Sequence, residues 1–202
     1  MLLLKRWYKF NTIMQKYKKE EYYLLYCGVC KVKTQDIKGL SLWPPSKLLN
    51  DDKMARLEGL VKQNGWNDRY PQDLNLYYTP RGIYTVSHGG NHRPLLADKL
   101  HIKEIYACVD LVIPYPLVSQ EAHNNIRMLN ELMYSIDKQA KSLDTYLNSK
   151  GAYRLDYTAD EKKLDELYSE SDKVYEEIKK VYRIEAKKNI YFKEFLEINS
   201  SE

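Results

Sequence analysis

Hydrophobic residues recur with a helical period along much of the chain. Residues 119–148 and 161–187 carry apolar side chains three and four positions apart, which predicts two long amphipathic helices. In the second helix the apolar positions fit a heptad seam, as in a helical hairpin or a short coiled coil. A shorter helix is predicted to begin after the capping residues Asn50–Asp52 and to end at Asn64–Gly65.

Shorter runs rich in Tyr, Val and Ile predict β-strands in the middle of the chain. Leu74–Tyr78 and Ile83–Val86 flank a turn that begins with Pro and ends with Gly, which is typical of a β-hairpin. A helix over 95–100 and a strand over Ile105–Val109 follow. With a β-like segment at 29–42 ahead of them, the predicted order is β, α, β, β, α, β. The predicted fold class is therefore α+β.

Composition excludes several classes of protein. The 202 residues are 44% hydrophobic and 30% charged, which is typical of a globular chain. The apolar runs are far shorter than the roughly 18 residues that span a bilayer, and Lys5 and Arg6 follow the opening leucines too soon for a signal peptide. The three cysteines are too sparse for a secreted disulfide scaffold. We expect a cytoplasmic protein without a membrane partner.

The N-terminal part of the chain is basic and aromatic. Residues 1–40 hold nine Lys or Arg and three acidic residues, a net charge of +6. Interleaved aromatic side chains give residues 5–26 a weak helical pattern, although Tyr22–Tyr26 fits a strand equally well. The same side chains give the segment the chemistry to pair with phosphates and stack on bases. The alternative is a solvated helix whose aromatic side chains pack on the body of the protein. Runs of charged residues more often form a solvated surface of this kind than a binding site. The candidate nucleic-acid-binding residues are Lys5, Arg6, Lys9, Lys16, Lys18 and Lys19.

The turn Gly89–Pro94 lies between a predicted strand and a predicted helix. The first amides of a helix lack an intrahelical acceptor, so an anion held there meets N–H donors and a favourable dipole. The two glycines allow a sharp turn, and proline suits the first helical turn because it has no N–H to leave unpaired. Arg93 adds donors that match phosphate oxygens, and His92 adds a titratable donor. The alternative is a tight turn with surface side chains.

The segment 84–105, with this turn and the small residue Ala97 on the following helix, resembles the ParB/sulfiredoxin superfamily. The resemblance covers about residues 36–113 and implies a small mixed sheet with helices. It also implies that the turn binds the phosphates of a nucleotide such as CTP, ATP or ADP, with Mg²⁺ as an accompanying ion. The residues matched to the phosphate site are Gly89, Gly90, Asn91, His92 and Arg93, and Asn124 and Arg127 match an Asn-x-x-Arg element of ParB proteins.

This chain differs from the family at residues that several of the family's activities require. Sulfiredoxins carry a nucleophilic Cys where this chain has Asn91, so sulfinic-acid reduction is not expected. Cys108 does not replace it, because it lies in a strand and has the character of a buried hydrophobe. Kinases of the superfamily use a Glu near the loop that is 42–48 here, and this loop holds no carboxylate. The helices after residue 117 show no clear helix-turn-helix spacing.

Cys27 and Cys30 have the spacing of half a zinc site or of a redox dithiol. A tetrahedral zinc needs two more ligands, and the sequence contains no second Cys-x-x-Cys or His-x-x-x-His pair. Further ligands would have to come through tertiary proximity or from a second chain. We therefore expect two reduced thiols and no metal.

The predicted organisation is a basic aromatic arm at 1–35, a ParB/sulfiredoxin-like nucleotide-binding domain at 36–116 and an α-helical extension at 117–202. The first functional hypothesis is a nucleotide-binding, DNA-associated or regulatory factor. The second is an enzyme on the same fold, a nucleotidase, nuclease or small-molecule kinase, with catalytic candidates His88, His92, Asp51 and Asp52. The third is a scaffold that binds a protein partner or a second copy through the C-terminal helices. The Lys, Tyr and Asn content is typical of an AT-rich genome such as that of a phage or mobile element.

Overall fold

The computed structural model describes residues 6–17, 21–149 and 159–199. The contacts divide the chain into two units. The sheet unit comprises Met1–Leu117 together with Ala186–Glu202, and the helical unit comprises Val118–Glu185. A mixed sheet and separate long helices confirm the predicted α+β class.

Six strands form one mixed sheet in the order β1-β3-β5-β4-β6-β2. Their bounds are β1 Tyr8–Lys9, β2 Tyr22–Lys33, β3 Ile37–Leu40, β4 Asn75–Tyr78, β5 Tyr84–His88 and β6 Glu104–Pro114. β4 and β5 pair antiparallel, which confirms the predicted hairpin, and β2 pairs antiparallel with β6. The pairs β1–β3, β3–β5 and β4–β6 are parallel.

The helices of the sheet unit are shorter than those of the helical unit. Their bounds are α1 Phe10–Met14, α2 Pro45–Leu49, α3 Asp52–Asn64, α4 His92–Lys99 and α7 Ile190–Asn199. α3 has the predicted ends, because the Asp51 side chain accepts a hydrogen bond from Met54 N at 2.8 Å and Gly65 follows the last turn with φ 76°. The helical unit contains α5, Gln120–Ser149, and almost all of α6, Ala159–Ala186.

The long strand β2 covers residues that the sequence analysis assigned to the basic aromatic arm at 1–35. The weak helical pattern of 5–26 overlaps its first residues. Of the helix and strand alternatives for Tyr22–Tyr26, the structure shows the strand, because the chain forms a ladder with β6 from residue 22 and the segment belongs to the sheet. Leu25 and Val32 are buried on one face, whereas Tyr26 and Val29 are exposed on the other. A bulge at residues 27–28 shifts the register between them. Pairing with β6 determines that this segment is a strand, because a tyrosine-rich sequence is compatible with strands as well as helices.

One face of the sheet carries the core of the sheet unit. Alternate residues of β6 point into it, namely Ile105, Ala107, Val109, Leu111 and Ile113, and all are almost fully buried. α7, which the sequence pattern did not predict, packs its aromatic side chains on this face. Phe195 lies 5.2 Å from the ring of Tyr78, and Phe192 lies 5.9 Å from it. Residues 190–199 therefore belong to the sheet unit and not to the expected helical extension.

The opposite face carries α1 over strands β3 and β5. Gly39 in β3 is the position that permits this packing, because a Cβ atom there would overlap the Thr85 side chain and approach Ile13 at 2.6 Å. Thr85 itself is fully buried. α1 is thus fixed directly on the strand that leads into the glycine turn.

In the helical unit, α5 and α6 bury facing apolar seams, as the periodicity predicted. The buried side chains of α6 include Leu167, Val174 and Ile178, and Ser171 fills the polar position of the seam by donating to Asp137 of α5 at 2.6 Å. Glu185 accepts hydrogen bonds from Ser119 N at 2.9 Å and from Ser119 Oγ at 3.2 Å. The helices over the described ranges include none that is long and apolar enough to cross a membrane.

Two glycines provide a matched test of the packing of α1. Gly39→Ala is expected to lower the free energy of unfolding by about 1–3 kcal/mol, because the added methyl group has no space between β3, β5 and α1. Gly59→Ala in α3 meets no atom within 4 Å and removes a helix-destabilising residue, so it should raise that free energy by about 0.5–1 kcal/mol. Urea denaturation of both variants measures the difference. Equal effects of the two substitutions would contradict the packing described.

Candidate functional site

The glycine turn, Gly89–Arg93, connects the carboxyl end of β5 to α4, as predicted. Gly89 and Gly90 both have left-handed backbone conformations, with φ of 64° and 61°. α4 begins at His92, no side chain caps its first turn, and that turn contains no acidic residue. Arg93 N donates to Gly90 O at 3.0 Å and Pro94 has no N–H, so the amides that can present the positive end of the helix dipole are those of Asn91 and His92.

The side chain of Asn91 joins this turn to the loop after β3. It is only 2% exposed, and its Oδ1 accepts hydrogen bonds from Ser41 N at 2.9 Å and from Leu42 N at 3.1 Å. Its Nδ2 donates to Ser41 Oγ at 2.8 Å and to Gly89 O at 3.2 Å. These bonds use both polar atoms of the amide, so Asn91 has a structural role and can offer a ligand only its main chain.

His92 pairs with the carboxylate that caps the neighbouring helix. Its Nε2 lies 2.7 Å from Asp51 Oδ2, while Asp51 Oδ1 accepts the bond from Met54 N. The hydrogen bond with His92 and the bond from Met54 lower the pKa of the Asp51 carboxyl below its usual value. The N-termini of α3 and α4 are thereby held side by side.

Arg93 holds the loop between α3 and β4. Its guanidinium donates to Tyr70 O at 2.7 Å and to Asp68 Oδ1 at 2.6 Å, with a longer bond to Asn67 O. It also lies 5.9 Å from the centre of the Trp66 ring. The predicted phosphate ligand Arg93 is thus already paired with a carboxylate of its own chain.

The other predicted catalytic and phosphate-binding residues are placed as follows. His88 is exposed at the end of β5, with its Nδ1 3.0 Å from Ser87 Oγ. Asp52 is exposed in the first turn of α3. Asn124 and Arg127 lie on α5 in the helical unit, where Asn124 Oδ1 accepts a hydrogen bond from Gln120. The turn, by contrast, brings Gly89, Gly90, Asn91, His92, Arg93 and Asp51 together.

The predicted nucleic-acid-binding residues are only partly described. Lys5, Lys18 and Lys19 lie outside the described residues. Arg6 is exposed, with its guanidinium 5.2 Å from the centre of the Tyr8 ring, and Lys9 lies 5.9 Å from the Trp43 ring. Lys16 is exposed just after α1. The arm thus joins the sheet through β1 and α1 and keeps these three cations in solvent.

The two cysteines of the Cys-x-x-Cys pair flank the bulge of β2. Cys30 is buried in the core, where its Sγ donates to Cys27 O at 3.5 Å. The Cys27 Sγ lies near Leu25 O. In the part of the chain that the structure describes, no three His, Cys, Asp or Glu side chains are grouped to hold a metal ion.

A further group of titratable residues lies on the sheet face that carries α1, over β2, β4 and β6. Tyr26 Oη is 3.6 Å from Cys108 Sγ, and this hydrogen-bond contact raises the pKa of Tyr26 to about 12. Asp110 lies on β6, the strand next to β2 in the sheet. Burial raises the pKa of Asp110, while the nearby His88 opposes that shift. The sequence pattern did not select Asp110, although an acidic residue inside the apolar run of β6 was a signal for it.

We compared the chain with protein-family models, curated proteins and solved structures, and no significant match was found. The likeness to the ParB/sulfiredoxin superfamily therefore depends on the turn and its flanking elements alone, and it stays a prediction.

Arg93 can be tested as the residue that fixes the loop at 66–70. Arg93→Ala is expected to lower the free energy of unfolding by about 1.5–3 kcal/mol, because it leaves Asp68 without its charged partner. Hydrogen exchange should then accelerate at Asn67 and Tyr70. The control is Arg69→Ala, which removes only the packing of its guanidinium on the Tyr70 ring and should cost less than about 1 kcal/mol. Unchanged exchange in Arg93→Ala would contradict this role.

The raised pKa of Asp110 predicts a pH-dependent gain in stability on its removal. The folded protein holds the Asp110 proton more tightly than the unfolded chain, whose pKa is near 3.8. The stabilising effect of protonation is complete below that pH and is lost as the pH rises through the folded pKa. Asp110→Asn should therefore raise Tm at pH 7 and lose this advantage near pH 3.5. A gain in Tm that is equal at both pH values would contradict the assignment; exposed Asp73→Asn is the control.

Proposed function

We propose that this protein binds nucleotides through their phosphates at the glycine turn. The observation that carries the proposal is the uncapped N-terminus of α4, preceded by two successive left-handed glycines and free of acidic residues in its first turn. The amides of Asn91 and His92 can donate to one anion at this end of the helix, whereas Arg93 N donates to Gly90 O at 3.0 Å and Pro94 has no N–H. Gly90 lets the turn pack closely on the main chain of Asp73 and Leu74, because a Cβ atom there would lie 2.7 Å from Asp73 O. The resemblance of the turn to that of ParB proteins points to the same ligand.

The side chains of α4 support the proposal with hydrogen-bond donors and with the charge of Arg93. His92 and Arg93 follow the glycines after Asn91 and lie in the first turn of the helix. Each is paired with a carboxylate, Asp51 and Asp68 respectively. A phosphate bound at the amides would compete with these carboxylates for the His92 and Arg93 side chains. The carboxylates therefore set how tightly the phosphate is held. Mg²⁺ would arrive on the nucleotide, since it commonly binds through phosphates and retains waters.

A second candidate function, an enzyme on the same turn, is favoured by one observation. The 2.7 Å contact between His92 Nε2 and Asp51 Oδ2 gives the imidazole a fixed orientation, as a carboxylate does for a general base. Only 12% of the His92 side chain is exposed. If His92 acts in this way, His92→Ala abolishes release of phosphate from a nucleotide while binding persists. Turnover that is unchanged by His92→Ala would exclude this role.

The nucleotide site can be tested with substitutions of opposite expected effect. Asp68→Asn removes the carboxylate that competes for Arg93 and keeps its hydrogen bonds to Tyr70 O and Asn67 O. It should tighten nucleotide binding severalfold, since an ion pair with a carboxylate is exchanged for one with phosphate. Arg93→Ala should weaken binding at least tenfold. Isothermal titration with CTP, ATP, ADP and GTP, with and without Mg²⁺, measures both effects.

Asp165→Asn supplies the matched control, because it removes the same charge from an exposed position of α6. Its affinity should equal that of the unmodified protein. The proposal is wrong if millimolar concentrations of all four nucleotides give no heat and no rise in Tm. It is also wrong if Asp68→Asn and Asp165→Asn change the affinity equally, because the effect would then reflect only net charge.

A further inference from the structure

A basic aromatic cleft lies at the opposite end of β5 from the glycine turn. It has a volume of about 390 Å³, and its walls come from the N-terminal arm, from β3 and from the hairpin turn before β5. The lining residues that carry chemistry are Tyr8, Thr12, Tyr17, Lys38 and Arg81. We call this the arm cleft. It contains no residue of the glycine turn, so a ligand bound there would be independent of the proposed nucleotide site.

The two cations of the arm cleft are not neutralised by carboxylates. No ion pair involves Lys38 or Arg81 within the described ranges, and the lining residues include no acidic side chain. Arg81 is exposed and lies near enough to Tyr17 for its charge to oppose the rise that burial causes in the pKa of that phenol. This differs from the glycine turn, where Arg93 is paired with Asp68 and His92 with Asp51. The arm cleft is therefore the stronger candidate for an anion.

Aromatic rings flank these cations. Tyr8 and Tyr17 line the cleft on the arm side, and both are partly exposed. Rings of this kind stack on bases without regard to their sequence, while neighbouring cations pair with the backbone. A base inside a duplex is already stacked on its neighbours, so these rings can reach only unpaired bases. The cavity volume suits a nucleotide unit and is too small for a double helix.

Further cations continue beyond the cleft. Arg6 lies against the Tyr8 ring at 5.2 Å, and exposed Lys16 precedes Tyr17. The positive surface is therefore longer than one phosphate group requires. A repeating ligand, with a phosphate at each unit, would use all of it.

We propose that the arm cleft binds single-stranded nucleic acid, with the phosphates on Lys38 and Arg81 and unpaired bases stacked on Tyr8 and Tyr17. The chemical class is set by the combination of unpaired cations and aromatic rings in one groove. Base identity is not read by the described lining residues, since none of them carries an amide or carboxylate side chain to select a base edge.

The proposal can be tested by fluorescence anisotropy with labelled 20-nucleotide strands of poly-dT and poly-U, and with a duplex of equal length. The double substitution Lys38→Ala/Arg81→Ala should weaken single-strand binding at least about tenfold at low salt. It should also reduce the slope of log K against log salt by roughly 1.4, because each neutralised phosphate of a single strand contributes about 0.7. The matched control Lys47→Ala/Arg56→Ala removes the same charge from exposed positions of α2 and α3 and should leave both quantities nearly unchanged.

The aromatic contribution has a different signature. Tyr8→Leu and Tyr17→Leu should each weaken binding roughly fivefold or more without changing the salt slope, because stacking releases no counterions. Tyr134→Leu, at an exposed position of the helical unit, is the control. The conservative pair Lys38→Arg/Arg81→Lys keeps the charges and should keep binding, which separates the effect of charge removal from a failure to fold.

Three results would overturn the proposal. One is the absence of single-strand binding by the unmodified protein in 50 mM salt. Another is equal weakening by the cleft pair and the control pair, which would show that net charge alone attracts the strand. The third is duplex binding as tight as single-strand binding, or competition by dTMP as strong as by the same concentration of strand, which would assign the cleft to another ligand.

Discussion

The buried side chain of Asn91 is the contact on which the geometry of the glycine turn depends. A buried amide without partners costs roughly 1–3 kcal/mol, so its hydrogen bonds to Ser41, Leu42 and Gly89 hold the end of β5 against the end of β3. Asn91 directly precedes α4, and the orientation of His92 and Arg93 follows from its position. Through these two residues the same amide determines how the loops at Asp51 and Asp68 are held.

Charge is distributed differently at the two ends of β5. At the glycine turn His92 and Arg93 face carboxylates at 2.7 and 2.6 Å, so an anionic ligand must compete with the protein's own acids. At the arm cleft the lining cations Lys38 and Arg81 face tyrosines and solvent. A ligand at the glycine turn is therefore selected by how well it replaces the carboxylates. A ligand at the arm cleft is attracted by cations that have no acidic partner among the lining residues, and salt screens this attraction.

Local signals in the sequence predicted α3, the β4–β5 hairpin and the strand–turn–helix around Gly89, because caps, turn residues and periodicity act over a few positions. Three features depended on distant pairing. The sequence predicted β2 only in part, through the β-like segment from Val29 and the open alternative at Tyr22–Tyr26, and it did not predict α7 or the partners of Arg93. The ladder with β6 makes β2 a strand. The burial of Phe192 on the sheet holds α7 in place. The partners of Arg93 come from a loop 23 to 26 residues away in the sequence. The sequence thus placed the residues of the turn correctly but could not show that their side chains are already engaged.

The arm cleft exists only when the N-terminal arm is docked on the sheet. Tyr8 and Tyr17 come from the arm, but Lys38 comes from β3 and Arg81 from the hairpin turn. The absence of a side chain at Gly39 allows Ile13 of α1 to pack against the buried Thr85 of β5, and this packing fixes the arm that carries both tyrosines. The net charge of the first 40 residues is therefore not sufficient by itself to form the proposed site for single-stranded nucleic acid. A free arm would attract phosphates through its lysines, whereas pairing of cations with stacking rings in one groove requires the folded sheet.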